Sequence, residues 1–177
     1  MQLVLLIQLQ GVKSVINLAQ YKQYILQPVL KKLEMYSPEA MALMEGTGLQ
    51  ESGFKYLVQL GGGPAVGFYQ MEMDTAEDIV YRYAQNKNDE FRERITKVIP
   101  IPLWLMTSEE LKWELTVNLA LQVVLARLKY WMVPDPIPPD RDFKAHAEYW
   151  KQYYNTPLGA GTVEQYINNW KKGVNNA

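Results

Sequence analysis

The sequence predicts a single, mainly α-helical domain with one minimal β or loop insert around residues 54–70. Three observations predict it. The chain has 177 residues, 48% of them hydrophobic, enough to bury one core. Apolar residues recur at helical spacing along most of its length. Its glycines concentrate in one stretch, "GTGLQESGFKYLVQLGGGPAVGFYQME" (46–72), where Glu51 stands in a mostly uncharged run.

The elements follow in order. Residues 19–34 place Tyr21, Tyr24, Ile25 and Leu33 at helical spacing, with Pro28 as an expected break or kink. Residues 1–36 form an N-terminal helical extension and 37–177 the core of the domain. "SPEAMALMEG" opens a helix: Ser37 caps it, Pro38 takes the first position and Glu39 favours the positive end of the dipole. It ends near Glu51, with Gly53 as the stop. "FKYLVQL" reads as a short strand and "GGGP" as a turn. Thr75 and Asp78 have capping-box spacing at the start of the next helix, and a short helix covers "NDEFRERITKVI". "PIPLWLM" is extended, because a residue before Pro avoids the α region. "TSEELKWELTVNLALQVVLARLKYWMV" predicts one long central helix, opened by a Thr107–Glu110 capping box and striped by Leu111, Leu115, Leu119, Val123 and Ala126. "PDPIPPD" breaks it; "FKAHAEYWKQYYN" and "TVEQYINNWKK" are the last two helices, with the "TPLGAG" loop between them.

Composition excludes several chemistries. With no cysteine there is no disulfide, thiol nucleophile or thiolate metal site, and a single histidine, His146, rules out a multi-His zinc site. No metal and no cofactor are expected. A net charge of −1 gives no field for nucleic acid. The apolar run Leu3 to Ile7 is too short to span a bilayer and lacks the flanks of a signal peptide, so no stable membrane insertion is expected.

Glu51 is the residue that packing does not explain. The C-terminal end of a helix is the negative end of its dipole, and an apolar, glycine-rich surrounding desolvates a carboxylate. Both effects keep the acid protonated near neutral pH, as a general acid requires. The plain alternative is an exposed Glu at a fraying helix end.

The flanking residues bear on this choice. "LQESGF" followed by "GFYQME" resembles the lysozyme-like lytic transglycosylases and goose-type lysozymes, where a catalytic Glu opens an E-S-G-like motif at the end of a helix and a G-L-M-Q-like motif follows a loop. Here the second motif reads Gly67, Phe68, Tyr69, Gln70, with its two middle positions changed. Tyr154 and Asn155 match a third, Y-N motif, after which the chain departs from the pattern. The order of the motifs carries the resemblance, and the compact size and tight "GGGP" loop look like a bacteriophage member.

The resemblance implies a lysozyme-like fold of the α+β type and cleavage of peptidoglycan glycan strands between N-acetylmuramic acid and N-acetylglucosamine. Glu51 would be the general acid and then the base of a lytic transglycosylase. A goose-type hydrolase would add a second carboxylate, for which Glu72 is the better candidate; Asp74 reads more strongly as part of the helix start beside Thr75. Gln70 would hold an acetamido group or the loop backbone, Tyr69 would line the sugar groove, and Gly67, which opens this motif, would belong to the same substrate-binding set. Gly61, Gly62 and Gly63 would let the loop backbone approach a glycan strand or simply form a flexible turn. Phe68 is the better core residue of the aromatic pair. Ser52 would donate to Glu51 or simply end the helix, and Tyr154 with Asn155 would orient Glu51 or the substrate. Trp104, Trp113, Trp131 and Trp150 are expected in the core, with Tyr130 and Trp131 open to a role in a cleft wall, and His146 at the surface or satisfied. Implied partners are peptidoglycan and a phage virion or holin; the implied location is a virion or the host cytoplasm, with action at the cell wall. The second reading is a lysozyme-like virion or glycan-binding protein without activity, and a third replaces peptidoglycan with another N-acetylglucosamine polymer.

Overall fold

The computed structural model describes residues 16–156 and 159–175; the Leu3–Ile7 run lies outside them. Among the described residues there are eight helical stretches and no strand. Helix α1 covers residues 18–32, α2 Pro38–Glu51, α3 residues 73–86, α4 Asp89–Val98, α5 Ser108–Val117, α6 Leu119–Trp131, α7 residues 143–155 and α8 Val163–Asn175. None is long and apolar enough to cross a membrane.

Helix ends follow the capping residues. Ser37 Oγ accepts from Ala40 N at 3.1 Å, with Pro38 in the first turn of α2. The Thr107–Glu110 capping box closes in both directions. Thr162 and Gln165 make the same reciprocal pair before α8, at 3.0 and 3.2 Å.

Four local expectations are corrected. Pro28 does not break α1: a π turn, Lys22–Leu26, precedes it and the chain stays helical through Lys32, since Pro28 sits in the first turn of the α segment that follows. Thr75 and Asp78 form no capping box, because α3 starts earlier, at Met73 after Glu72. The single long helix is two. Asn118 ends α5 with extended ψ and caps α6 through its side chain, which accepts from Leu121 N at 3.1 Å. "PIPLWLM" is not extended throughout but holds a 3-10 turn at Leu103–Leu105.

The insert is a looped hairpin rather than a strand. Only isolated antiparallel bridges join Val58 to Val66 and Val66 to Met71. Gly61 and Gly62, both at φ +81, form an open tip, while Gly67 (φ +74) and Gln70 (φ +43) leave the extended region before a ladder can grow. The Phe54 ring seats the insert on α2, where a Cβ on Gly48 would meet it at 2.2 Å.

Helix α6 is the centre of the core: every residue from Leu121 to Leu128 is buried. The N-terminal helix belongs to the same core through Tyr21, Leu26, Leu30 and Leu33. A 2.7 Å salt bridge from Lys22 to the buried Glu45 ties it to α2. Helix α8 lies against α2 across small residues. A Cβ on Gly46 would stand 2.1 Å from Tyr166 Oη and 2.8 Å from the Trp170 ring, and both aromatics are buried. Gly46→Ala therefore destabilises the fold. Overpacking costs about 1–3 kcal/mol, more than the roughly 1 kcal/mol that alanine gains in a helix. The net loss is read as a lowered urea midpoint at unchanged slope.

Candidate functional site

Glu51 is the last residue of α2, and Ser52 follows as its C-cap. Glu51 is half-buried and lines an open cleft of about 420 Å³. Oε1 accepts a 2.8 Å hydrogen bond from Trp150 Nε1. Burial pushes the Glu51 carboxyl up to about 7; the Trp150 hydrogen bond and the Lys129 ammonium oppose this but do not cancel it. Lys129 donates to Tyr154 O at 2.8 Å and lies 4.0 Å from the centre of the Tyr154 ring. Burial holds this ammonium below its ordinary value, against the pull of Glu51 and Glu72.

Four amide side chains, Gln50, Gln59, Gln70 and Asn169, share the cleft with Lys55, Tyr56 and Leu60, and Glu51 is the only carboxylate among its described lining residues. Several amide atoms are already spent. Asn169 Nδ2 donates to Gln50 Oε1 at 2.9 Å, Gln59 Oε1 accepts from Ala65 N at 3.2 Å and Gln70 Nε2 donates to Gly67 O at 2.8 Å. These bonds fix the orientation of each amide.

The three sequence motifs come together here through hydrogen bonds that the sequence did not specify. Ser52 Oγ donates to Phe68 O at 2.7 Å and accepts from Phe54 N at 3.0 Å, so it pins the second motif to the end of α2 instead of bonding Glu51. Tyr154 Oη donates to Tyr69 O at 2.8 Å, joining the third motif to the second. Gly67 has a backbone role. Its φ is positive, and a Cβ would lie 2.9 Å from the Gln122 side chain and 3.0 Å from Leu115 O. Gln122, buried in α6, accepts from Phe68 N at 3.0 Å and donates to Thr116 O at 3.1 Å.

Other expected site residues lie elsewhere. Tyr69 does not line the cleft: its side chain is buried, accepting from Tyr21 Oη at 3.3 Å, and Phe68 is buried beside it. Glu72 is the exposed N-cap of α3, outside the cleft lining, and its charge acts on Lys129. Asn155 is also outside the lining; its Oδ1 accepts from Lys151 Nζ at 2.8 Å. Tyr130 and Trp131 form no wall of this cleft. Tyr130 is buried with its hydroxyl 2.8 Å from Thr47 Oγ1, and Trp131 stacks on Arg127 at 5.1 Å. Trp113 is not core but 66% exposed. His146 is buried, with Nε2 3.0 Å from Pro139 O and Nδ1 without a hydrogen-bond partner.

Sequence reasoning missed Trp150 and Lys129. Trp150 is core, as expected, and also the donor to Glu51; its position one turn before Tyr154 was the available signal. Lys129 is a cation in an otherwise apolar helix, which was the signal for it.

No protein-family model, characterised protein or solved structure matches this chain.

Proposed function

We propose that the protein is a lytic transglycosylase of lysozyme-like type, cleaving the β-1,4 bond between N-acetylmuramic acid and N-acetylglucosamine. The observation that carries this reading is Glu51, a half-buried carboxyl pushed up to about 7, alone among the described residues as an acid in an amide-rich cleft. A value near neutral suits a group that must first give a proton and then take one back. Amide side chains, which donate and accept at one end, suit a neutral polymer of hydroxyl and acetamido groups. The small loop around Gly61–Gly63 and the motif order support a phage protein acting on the cell wall, carried in the virion or released from the host cytoplasm with a holin.

The chemistry balances with one carboxyl. Glu51 donates its proton to the glycosidic oxygen as the bond to the muramyl C1 breaks, releasing the N-acetylglucosamine 4-hydroxyl. Positive charge develops at C1, as in other glycoside cleavages. The muramyl C6 hydroxyl then attacks C1 and returns its proton to Glu51. The product is a 1,6-anhydro sugar and no water is consumed.

An inverting hydrolase needs a second carboxylate to activate water. Glu72 is exposed and does not line the cleft, so Glu72→Gln is expected to leave the initial rate of peptidoglycan solubilisation essentially unchanged. A loss as deep as that of Glu51→Gln would instead assign the water-activating role to Glu72 and replace transglycosylation with hydrolysis.

A further inference from the structure

We propose, resting on the glycan-cleavage reading, that Trp150 is the positioning residue of the reaction: its indole N–H fixes the carboxyl of Glu51 so that Oε1 remains the accepting oxygen and the transferable proton sits on Oε2. An indole N–H is a donor only, with no lone pair to receive a proton. In a protonated carboxyl the carbonyl oxygen is the stronger acceptor. The 2.8 Å bond from Nε1 to Oε1 therefore selects Oε1 as the C=O oxygen and leaves the hydroxyl on Oε2. Among the described residues, Trp150 is the side chain that donates to this carboxyl. The hydroxyl expected for that task, Ser52 Oγ, is spent on Phe68 O. Lys129 is committed to Tyr154 O and contributes a field rather than a direct bond.

The donor is held still. Trp150 is fully buried, its ring 5.3 Å from that of Tyr166 and inclined by 31°. A Cβ on Gly161 would stand 2.6 Å from the far edge of the indole, so the next loop closes over the ring without room to spare. Immediately after Trp150, α7 widens into a π turn, Lys151–Asn155, which carries Tyr154. One helix thus aims both the donor to Glu51 and the hydroxyl that anchors Tyr69 O. Such turns recur at functional sites because they re-aim side chains within a helix.

The test separates this role from packing. Trp150→Phe removes the N–H and part of the ring. Replacement of Trp150 by β-(3-benzothienyl)alanine removes the N–H at nearly constant volume, so it remains informative if the Phe variant fails to fold. A hydrogen bond favours the ionised carboxylate over the neutral acid, so its loss raises the Glu51 titration by about half to one pH unit. Packing loss alone would let water in and move it down. The titration is read by ¹³C NMR of the Glu51 carboxyl without substrate. Difference infrared spectroscopy reads the C=O stretch of protonated Glu51, which rises in frequency when Oε1 loses its donor. In the rate, kcat falls about tenfold or more with KM little changed, because a misplaced acid loses near-attack geometry. An isosteric variant with an unshifted titration and an unchanged C=O stretch overturns the proposal. A parent that shows these titration and infrared signatures but releases no product from peptidoglycan overturns the glycan-cleavage reading, and with it the catalytic half of the proposal. The hydrogen-bond assignment then stands on the spectra.

Discussion

Glu51→Gln lowers kcat for peptidoglycan cleavage by about 10²–10⁴-fold, the range supplied by a positioned general acid, while leaving the fold intact. Gln keeps a carbonyl for Trp150 Nε1 and nearly the same volume, so the loss reports the proton rather than the packing. The parent shows the matching pH signature. Because burial outweighs Trp150 and Lys129 and holds the carboxyl at about 7, kcat/KM falls roughly tenfold per pH unit on the alkaline side of that value. Release of soluble product from purified peptidoglycan across a pH series measures both effects. A Gln variant as active as the parent would remove Glu51 from the chemistry.

The same substitution makes the protein more stable at alkaline pH. The carboxyl's folded value of about 7 lies above its ordinary 4.5, so the native state holds this proton more tightly than the unfolded chain does. The stabilising contribution of the protonated group is complete below about 4.5 and is lost as pH rises through about 7. At ~1.4 kcal/mol per pH unit the ionised carboxyl costs the fold about 3 kcal/mol, reduced by the partial solvation of a half-buried group. Gln carries no such penalty. Glu51→Gln is therefore expected to raise Tm by about 4–10 °C at pH 9 and to match the parent near pH 4. Equal melting temperatures at both pH values would mean that the carboxyl is not desolvated. The trade of stability for chemistry at this position is the kind expected at a functional site.

The sequence made the caps readable because a cap is a local device. Ser37 and the Thr107–Glu110 pair act within one helical turn, and the structure has both. Asn118 acts just as locally, but it sits inside a continuous apolar pattern that hid the break between α5 and α6. The strand expected at "FKYLVQL" failed for a different reason. Its residue types favour β structure, but Gly61, Gly62, Gly67 and Gln70, which follow, take positive φ, so pairing stops at single bridges. The site was half legible. Glu51 was marked by its position at a helix end and by the motif beside it. Its partners were not, because the bond from Trp150 spans 99 residues of sequence and the ring reads locally as core. Tyr69 shows the same limit in reverse. Its neighbours suggest a groove, yet its backbone carbonyl, not its ring, is the part that meets Tyr154.

The most direct test of Glu51 as the single acid and base is mass spectrometry of the soluble products from purified peptidoglycan treated with the parent and with Glu51→Gln. Anhydro-muropeptides from the parent and none above background from the variant are the expected result. Reducing-end muropeptides from the parent would contradict the single-carboxyl transglycosylation. No release by the parent across several peptidoglycan types and pH values would contradict the enzyme reading itself and leave a glycan-binding or virion structural protein.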